Sequence, residues 1–148
     1  MSSRFISVTL CSVLFLFALL PAVAQEPSQP NATTAAPVRI RPEEARQHVG
    51  RLVEVTFVVK KTKYNPMRNL VYLDSMTDWK DPRNLGVMLT SEGLADLKQN
   101  RHIDSPVDFY RDKKIRAVGT ITIEEDNPFL KVIKSDQIEL VKSSEQTQ

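Results

Sequence analysis

The chain has 148 residues, with 20 lysines and arginines against 18 aspartates and glutamates, and a single cysteine. A formal net charge of +2 provides no bulk electrostatic attraction to DNA or to an anionic membrane. One cysteine, Cys11, excludes a disulfide scaffold and a zinc–thiolate cluster.

Arg4 supplies a positive start, Phe5 to Leu20 an apolar stretch, and Ala22-Val23-Ala24 a small-x-small cleavage triplet. Residues 1–24 are therefore expected to be an export signal, with Gln25 as the mature N-terminus. The apolar stretch is short for a span of about 20 residues, so no membrane span is expected after cleavage. Cys11 lies inside that stretch behind the bulky Leu10, which argues against lipid attachment. Loss of Arg4 leaves 19 basic residues against 18 acidic ones and no thiol. The expected address is bacterial and exported, periplasmic or secreted. Residues 25–38 are rich in Pro, Ala, Thr and Gln without periodicity and are expected to form a disordered leader; residues 143–148 read as a disordered tail. Residues 39–142 suit one small domain with one core.

Within the domain, Pro42 to Val49 predicts a short helix, with Pro42 at its start, Glu43 and Glu44 in its first turn and Gly50 as its stop. Ala45 and Val49, four apart, are expected to face the core. Arg51 to Lys60 predicts the first strand, with Val53, Val55, Phe57 and Val59 inward at period two. Lys61 to Asn69 is polar, holds Pro66 and reads as a loop. Leu70 to Asp74 predicts a second strand, Ser75 to Asn84 a loop, and Leu85 to Thr90 a third strand. Ser91 is the expected cap of a helix over 92–100 that turns Leu94 and Leu97 inward and is weakened by Gly93. Residues 104–112 fit neither pattern, and Val107, Phe109 and Tyr110 are expected to pack them down. Lys113 to Ile123 predicts the fourth strand, with Ile115, Ala117, Gly119, Ile121 and Ile123 inward. Phe129 to Lys134 predicts the fifth, and Gln137 to Val141 either continues it after a bulge or pairs beside it.

The expected fold class is mainly β: a five-stranded Greek-key barrel of the oligonucleotide/oligosaccharide-binding (OB) type. It has a short N-terminal helix and a helix between strands 3 and 4. Five segments carry a resemblance: residues 44–50, residues 53–59 (VEVTFVV), residues 70–74 (LVYLD), residues 114–121 (KIRAVGTI) and residues 128–138. In these the chain resembles a family of small exported bacterial proteins with an OB-type, nucleic-acid-binding-like domain. The resemblance spans residues 40–142, is hardest to follow from Ser75 to Arg111, and implies binding without naming a ligand.

OB barrels place ligands across strands 2 and 3, between the loop joining strands 1 and 2 and the loop joining strands 4 and 5. The first of those loops carries Lys61, Lys63, Tyr64 and Arg68; Tyr72 follows on strand 2, and Trp79, Lys80 and Arg83 lie beyond it. Cations for a phosphate backbone and rings for stacking are what single-strand binding needs. The other loop is acidic, with Glu124, Glu125 and Asp126, and either repels a polyanion or attracts the basic loop. Catalysis has little support: His48 and His102 stand apart from any nucleophile motif, and Asp74, Asp78, Asp81 and Arg83 match no metal-site spacing. The expectation is a monomeric, non-enzymatic binding module without cofactor or metal, binding single-stranded nucleic acid or an oligosaccharide. A protein-interaction domain of the cell envelope is the alternative, and a metal-dependent hydrolase the third reading.

Overall fold

The structure, a computed structural model, describes residues 36–142; the expected export signal, most of the leader and the tail lie outside the described residues. It is mainly β. Val38 already belongs to β1 (Val38–Ile40), so the strand begins inside the segment expected to be disordered. β1 adds in parallel to β2 (Leu52–Val58), Val38 opposite Val53. Parallel neighbours need a connection, and it is a 3-10 turn, Pro42–His48. The Arg41 backbone N–H donates to Glu44 Oε2 at 2.8 Å, which fastens its start. A 3-10 turn repeats every three residues, so positions four apart do not share a face. Ala45 is accordingly buried, whereas Val49 is exposed, contrary to the α-helical spacing.

β2 buries Val53, Val55 and Phe57, and Val59 just beyond it, as the alternation requires. It runs antiparallel to β6 (Lys114–Glu124), Val53 opposite Gly119 and Phe57 opposite Ile115. The segment expected as a loop after β2 is half strand. β3 (Lys61–Asn65) pairs antiparallel with β4 (Leu70–Asp74), and only residues 66–69 turn. The period-two signal is missing because β3 ends the row of strands and is largely wet on both faces.

β4 pairs antiparallel with β5 (Gly86–Leu89), and β5 pairs in parallel with β7 (Asn127–Val132). Between β5 and β6 lie α1 (Ser91–Arg101) and the short α2 (Pro106–Tyr110), the latter formed by the segment without a clear pattern. Thr90, not Ser91, caps α1: its hydroxyl accepts from the Gly93 N–H at 3.2 Å. β7 returns antiparallel along β6, and β8 (Ile138–Leu140) pairs with the earlier half of β6. β7 and β8 thus follow one another along a single strand, interrupted at 133–137. Ile123 is exposed rather than inward, because the β6–β7 hairpin runs past the core and its tip is wet. Glu125 and Asp126 both take positive φ at that tip, the twist a two-residue hairpin demands.

The eight described strands run β1-β2-β6-β7-β5-β4-β3, with β8 on β6, against five strands expected. Two consecutive residues face opposite neighbours. Val59 donates its N–H to the Lys113 carbonyl at 2.9 Å, and Lys60 donates to the Asp74 carbonyl at 2.9 Å. The main core joins Leu73, Leu85, Val87, Leu97, Ile115 and Leu130, all fully buried, with Tyr110 and α1 against it. A second apolar cluster of Leu70, Met88 and Phe129, with Tyr72 against it, is separate from that core.

Candidate ligand-binding groove

That second cluster contributes to a groove. Alternation along β4 sends Val71 and Leu73 into the main core and Tyr72 the other way. In β7 Phe129 faces out beside it, opposite Gly86 of β5, which has no side chain to block the ring. The Tyr72 and Phe129 rings lie 5.5 Å apart between centroids and are tilted by 58°. Above them is a groove of about 530 Å³. It is lined by Lys61, Lys63 and Asn65 of β3 together with Arg68, by Asp74 and Trp79, and by Glu124 and Glu125 of the β6–β7 hairpin.

The structure therefore brings Lys61, Lys63, Arg68, Tyr72 and Trp79 together in one place. Tyr64 is elsewhere: on β3 it alternates with Lys61 and Lys63, lines a separate cavity of about 540 Å³ with Ser91 and Leu94, and donates its hydroxyl to Asn69 at 3.1 Å. Lys80 and Arg83 do not line the groove. The Lys80 ammonium sits 5.3 Å from the Trp79 ring centroid, and Arg83 is held by Asp81 at 2.7 Å. That bond keeps the Asp81 carboxyl down at about 2. Phe129 was not among the residues singled out by sequence; its only local signal is Gly86, which becomes informative once the β5–β7 register is known.

The basic and acidic parts of the lining attract each other. Arg68 reaches Glu124 at 3.4 Å, and Lys131 reaches the other oxygen of Glu124 at 3.7 Å. The six charges lining the groove are three cations (Lys61, Lys63, Arg68) and three carboxylates (Asp74, Glu124, Glu125). Burial raises the Tyr72 hydroxyl above its usual value, so it remains a neutral donor at ordinary pH.

The carboxylates expected in a hydrolase site are engaged separately. Asp78 accepts from the Lys80 N–H within its own turn at 3.0 Å, and Asp81 accepts from the Arg83 N–H at 2.9 Å. Asp104 pairs with Lys98 at 3.2 Å, while His102 forms the left-handed end of α1. Among the described residues no group of three His, Asp or Glu side chains is placed to hold a metal ion. Nor is any described helix long and apolar enough to cross a membrane.

Asp74 is buried, and burial raises its carboxyl above 3.8, opposed by the Asn84 amide and the charges of Lys61 and Lys63. The folded chain then holds that proton more tightly than the unfolded chain. Between 3.8 and the raised value the folded state binds more protons, so stability contributed here falls as pH rises through that window. Asp74→Asn removes this term while keeping an oxygen for the Asn84 amide. Urea unfolding from about pH 3.5 to pH 7 is expected to show the variant gaining on the natural chain as pH rises. A difference that stays constant with pH would contradict it.

Comparison with known proteins identifies no family: no family model and no curated protein matches the chain. Among solved structures it is similar to a chain described as an aspartyl-tRNA synthetase of Leishmania major, at TM-score 0.48 and 18% identity over 83% of this chain. It is also similar to asparaginyl-tRNA synthetase of Pyrococcus horikoshii, at TM-score 0.49 and 11% identity over 70% of this chain. A third similarity is to the p204 HINb domain, at TM-score 0.45 and 17% identity over 80% of this chain. The alignments span 24%, 23% and 56% of those chains respectively. Likenesses at this level carry no functional argument.

Proposed function

We propose that the chain is an OB-type binding module without catalytic activity, exported from a bacterial cell, that takes a weakly charged oligomer in the Tyr72–Phe129 groove. In this reading β2 and β3 act as one bent strand. The opposite hydrogen bonding of Val59 and Lys60 supports closure of the row of strands into a barrel at that bend. The β4–β5 face with the β6–β7 turn above it is then the position OB barrels use for ligands.

One observation supports the choice of ligand class: a floor of aromatic rings inside a lining whose formal charges cancel. A polyanion gains no net long-range attraction from such a lining, whereas a neutral sugar has apolar faces for the rings and hydroxyls for the carboxylates, amides and cations. An oligosaccharide is therefore the favoured ligand. Single-stranded nucleic acid is the second reading, favoured by the placement of Lys63 directly opposite Tyr72 in the β3–β4 register.

Trp79 is the only tryptophan in the chain and lines the groove, so its emission reports on this site. Titration with neutral hexasaccharides, chitohexaose and maltohexaose, is expected to shift that emission saturably and with little salt dependence. Tyr72→Ala should weaken the interaction about tenfold, the scale of one lost stacking platform. If instead a twelve-nucleotide oligothymidine binds with a steep loss of affinity in salt, the nucleic-acid reading replaces it. A response to neither leaves the envelope protein-interaction reading in place of both.

A further inference from the structure

A larger concavity, about 840 Å³, lies beside the end of α1 and shares no lining residue with the groove. Its apolar lining is Ile103, Phe109, Tyr110, Leu140 and Val141. Its charged lining is unbalanced: Arg39, Arg101, Arg116 and Lys142 stand against Glu54 and Glu139. Both carboxylates are already taken. Arg39 pairs with Glu54 at 2.9 Å, and Arg116 bridges Glu54 at 3.4 Å and Glu139 at 3.0 Å. Arg101 forms no ion pair among the described residues, so the excess positive charge is available there.

A second, independent feature points the same way. Tyr110 is only 2% exposed as a residue and lines this cavity; its hydroxyl makes no hydrogen bond to the described residues, yet it is not among the buried polar atoms left without a partner. Burial pushes it up to about 12, with Arg101 close enough to act against that rise, so it stays a donor at any ordinary pH. A hydroxyl donor and a guanidinium without an ion pair among the described residues, beside the apolar side chains of one concavity, suit an acceptor that is anionic and attached to an apolar body. The volume is in the range of small-molecule sites.

We propose that this concavity is a second binding site, for a small amphiphile bearing one carboxylate or phosphate, with Arg101 and the Tyr110 hydroxyl holding the anion and Phe109, Ile103 and Leu140 against its apolar part. Charge recruits the ligand and apolar burial retains it, so neither half alone suffices. An aliphatic alcohol lacks the group that Arg101 answers, and inorganic phosphate lacks the surface that Phe109 and Leu140 cover.

Isothermal titration of the mature chain with decanoate and with decyl phosphate tests this, with decanol and inorganic phosphate as comparisons. Saturable binding of decanoate alone assigns a carboxylate, of decyl phosphate alone a phosphate; either supports the site. Arg101→Gln is expected to weaken the interaction about tenfold and Tyr110→Phe about threefold, the scale of lost charge-assisted and neutral hydrogen bonds. Tyr110→Phe removes only an oxygen that makes no hydrogen bond to the described residues, so it should fold as the natural chain does, which circular dichroism would verify. Titration of Trp79 with hexasaccharide should be unchanged in both variants. The proposal is overturned by absence of binding up to about 1 mM, by equal affinity in Arg101→Gln, or by decanol or inorganic phosphate binding as well as the amphiphiles.

Discussion

Asn84→Ala is expected to destabilise the protein by about 3 kcal/mol and to lower Tm by roughly 12 °C or more. Asn84 is almost fully buried and every polar atom of its side chain is used. Its amide donates to Asp74 Oδ1 at 3.0 Å and to the Trp79 carbonyl at 3.4 Å. Its oxygen accepts from the Met76 N–H at 3.0 Å and the Ser75 hydroxyl at 3.2 Å, and Ser75 Oγ accepts from the Leu85 N–H at 2.9 Å. Truncation leaves the Asp74 carboxylate and the Met76 N–H without these partners. Each unsatisfied buried group costs about 1–3 kcal/mol, and members of one network do not add independently. Thermal unfolding measures the loss.

Asn84→Asp separates the hydrogen-bonding account from one of shape. It preserves the side chain's size but sets a second carboxylate against Asp74, so at neutral pH one of the two must be neutral or unpaired. That variant is expected to be at least as unstable as Asn84→Ala at pH 7 and to recover part of the loss as pH is lowered. The network also holds the carbonyl of Trp79, and with it part of the groove lining. Both variants should therefore shift Trp79 emission toward that of a solvated indole below the unfolding transition. Unchanged emission would separate the network from the site.

Gly93→Ala is expected to destabilise by about 2 kcal/mol, the opposite of what helix propensity alone requires. In an exposed helix, alanine is favoured over glycine by about 1 kcal/mol. Here a Cβ on Gly93 would lie 2.5 Å from the Val132 carbonyl oxygen and 3.3 Å from its carbon. That carbonyl has little freedom to withdraw, because Thr90 holds it through its N–H at 3.1 Å and its hydroxyl at 3.2 Å. Backbone meets backbone, so the start of α1 or the end of β7 must shift. Gln99→Ala on the exposed side of the same helix provides the reference and should stay within about 0.5 kcal/mol of the natural chain. Chemical denaturation of the three proteins resolves the sign, and a stabilised Gly93→Ala would show that the contact yields readily.

Gly93 illustrates how much of this protein was legible from sequence. Read along the chain it is a helix defect; in the fold it is the point where a helix can approach a strand 39 positions away. The alternation over 53–59 and 115–121 identified two strands and their inward faces, because a strand's facing depends only on parity along its own residues. The helix after the third strand and the stops around Gly50 and Asn84 were equally local signals. β3 was not, since a wet terminal strand has no buried face to impose a pattern.

The groove shows the same division. Sequence singled out Lys61, Lys63, Arg68, Tyr72 and Trp79 by residue type, and included Tyr64, Lys80 and Arg83 because type alone does not encode direction. Parity sent Tyr64 to the opposite side of β3, and only the parallel β5–β7 pairing brought Phe129 against Tyr72 and Glu124 against Arg68. By itself, then, the sequence determined which strands have an inside and which residue types border the groove. The tertiary structure decided which of those residues meet, and that their charges cancel, because pairing between strands far apart in the sequence is set by how the whole sheet packs around one core.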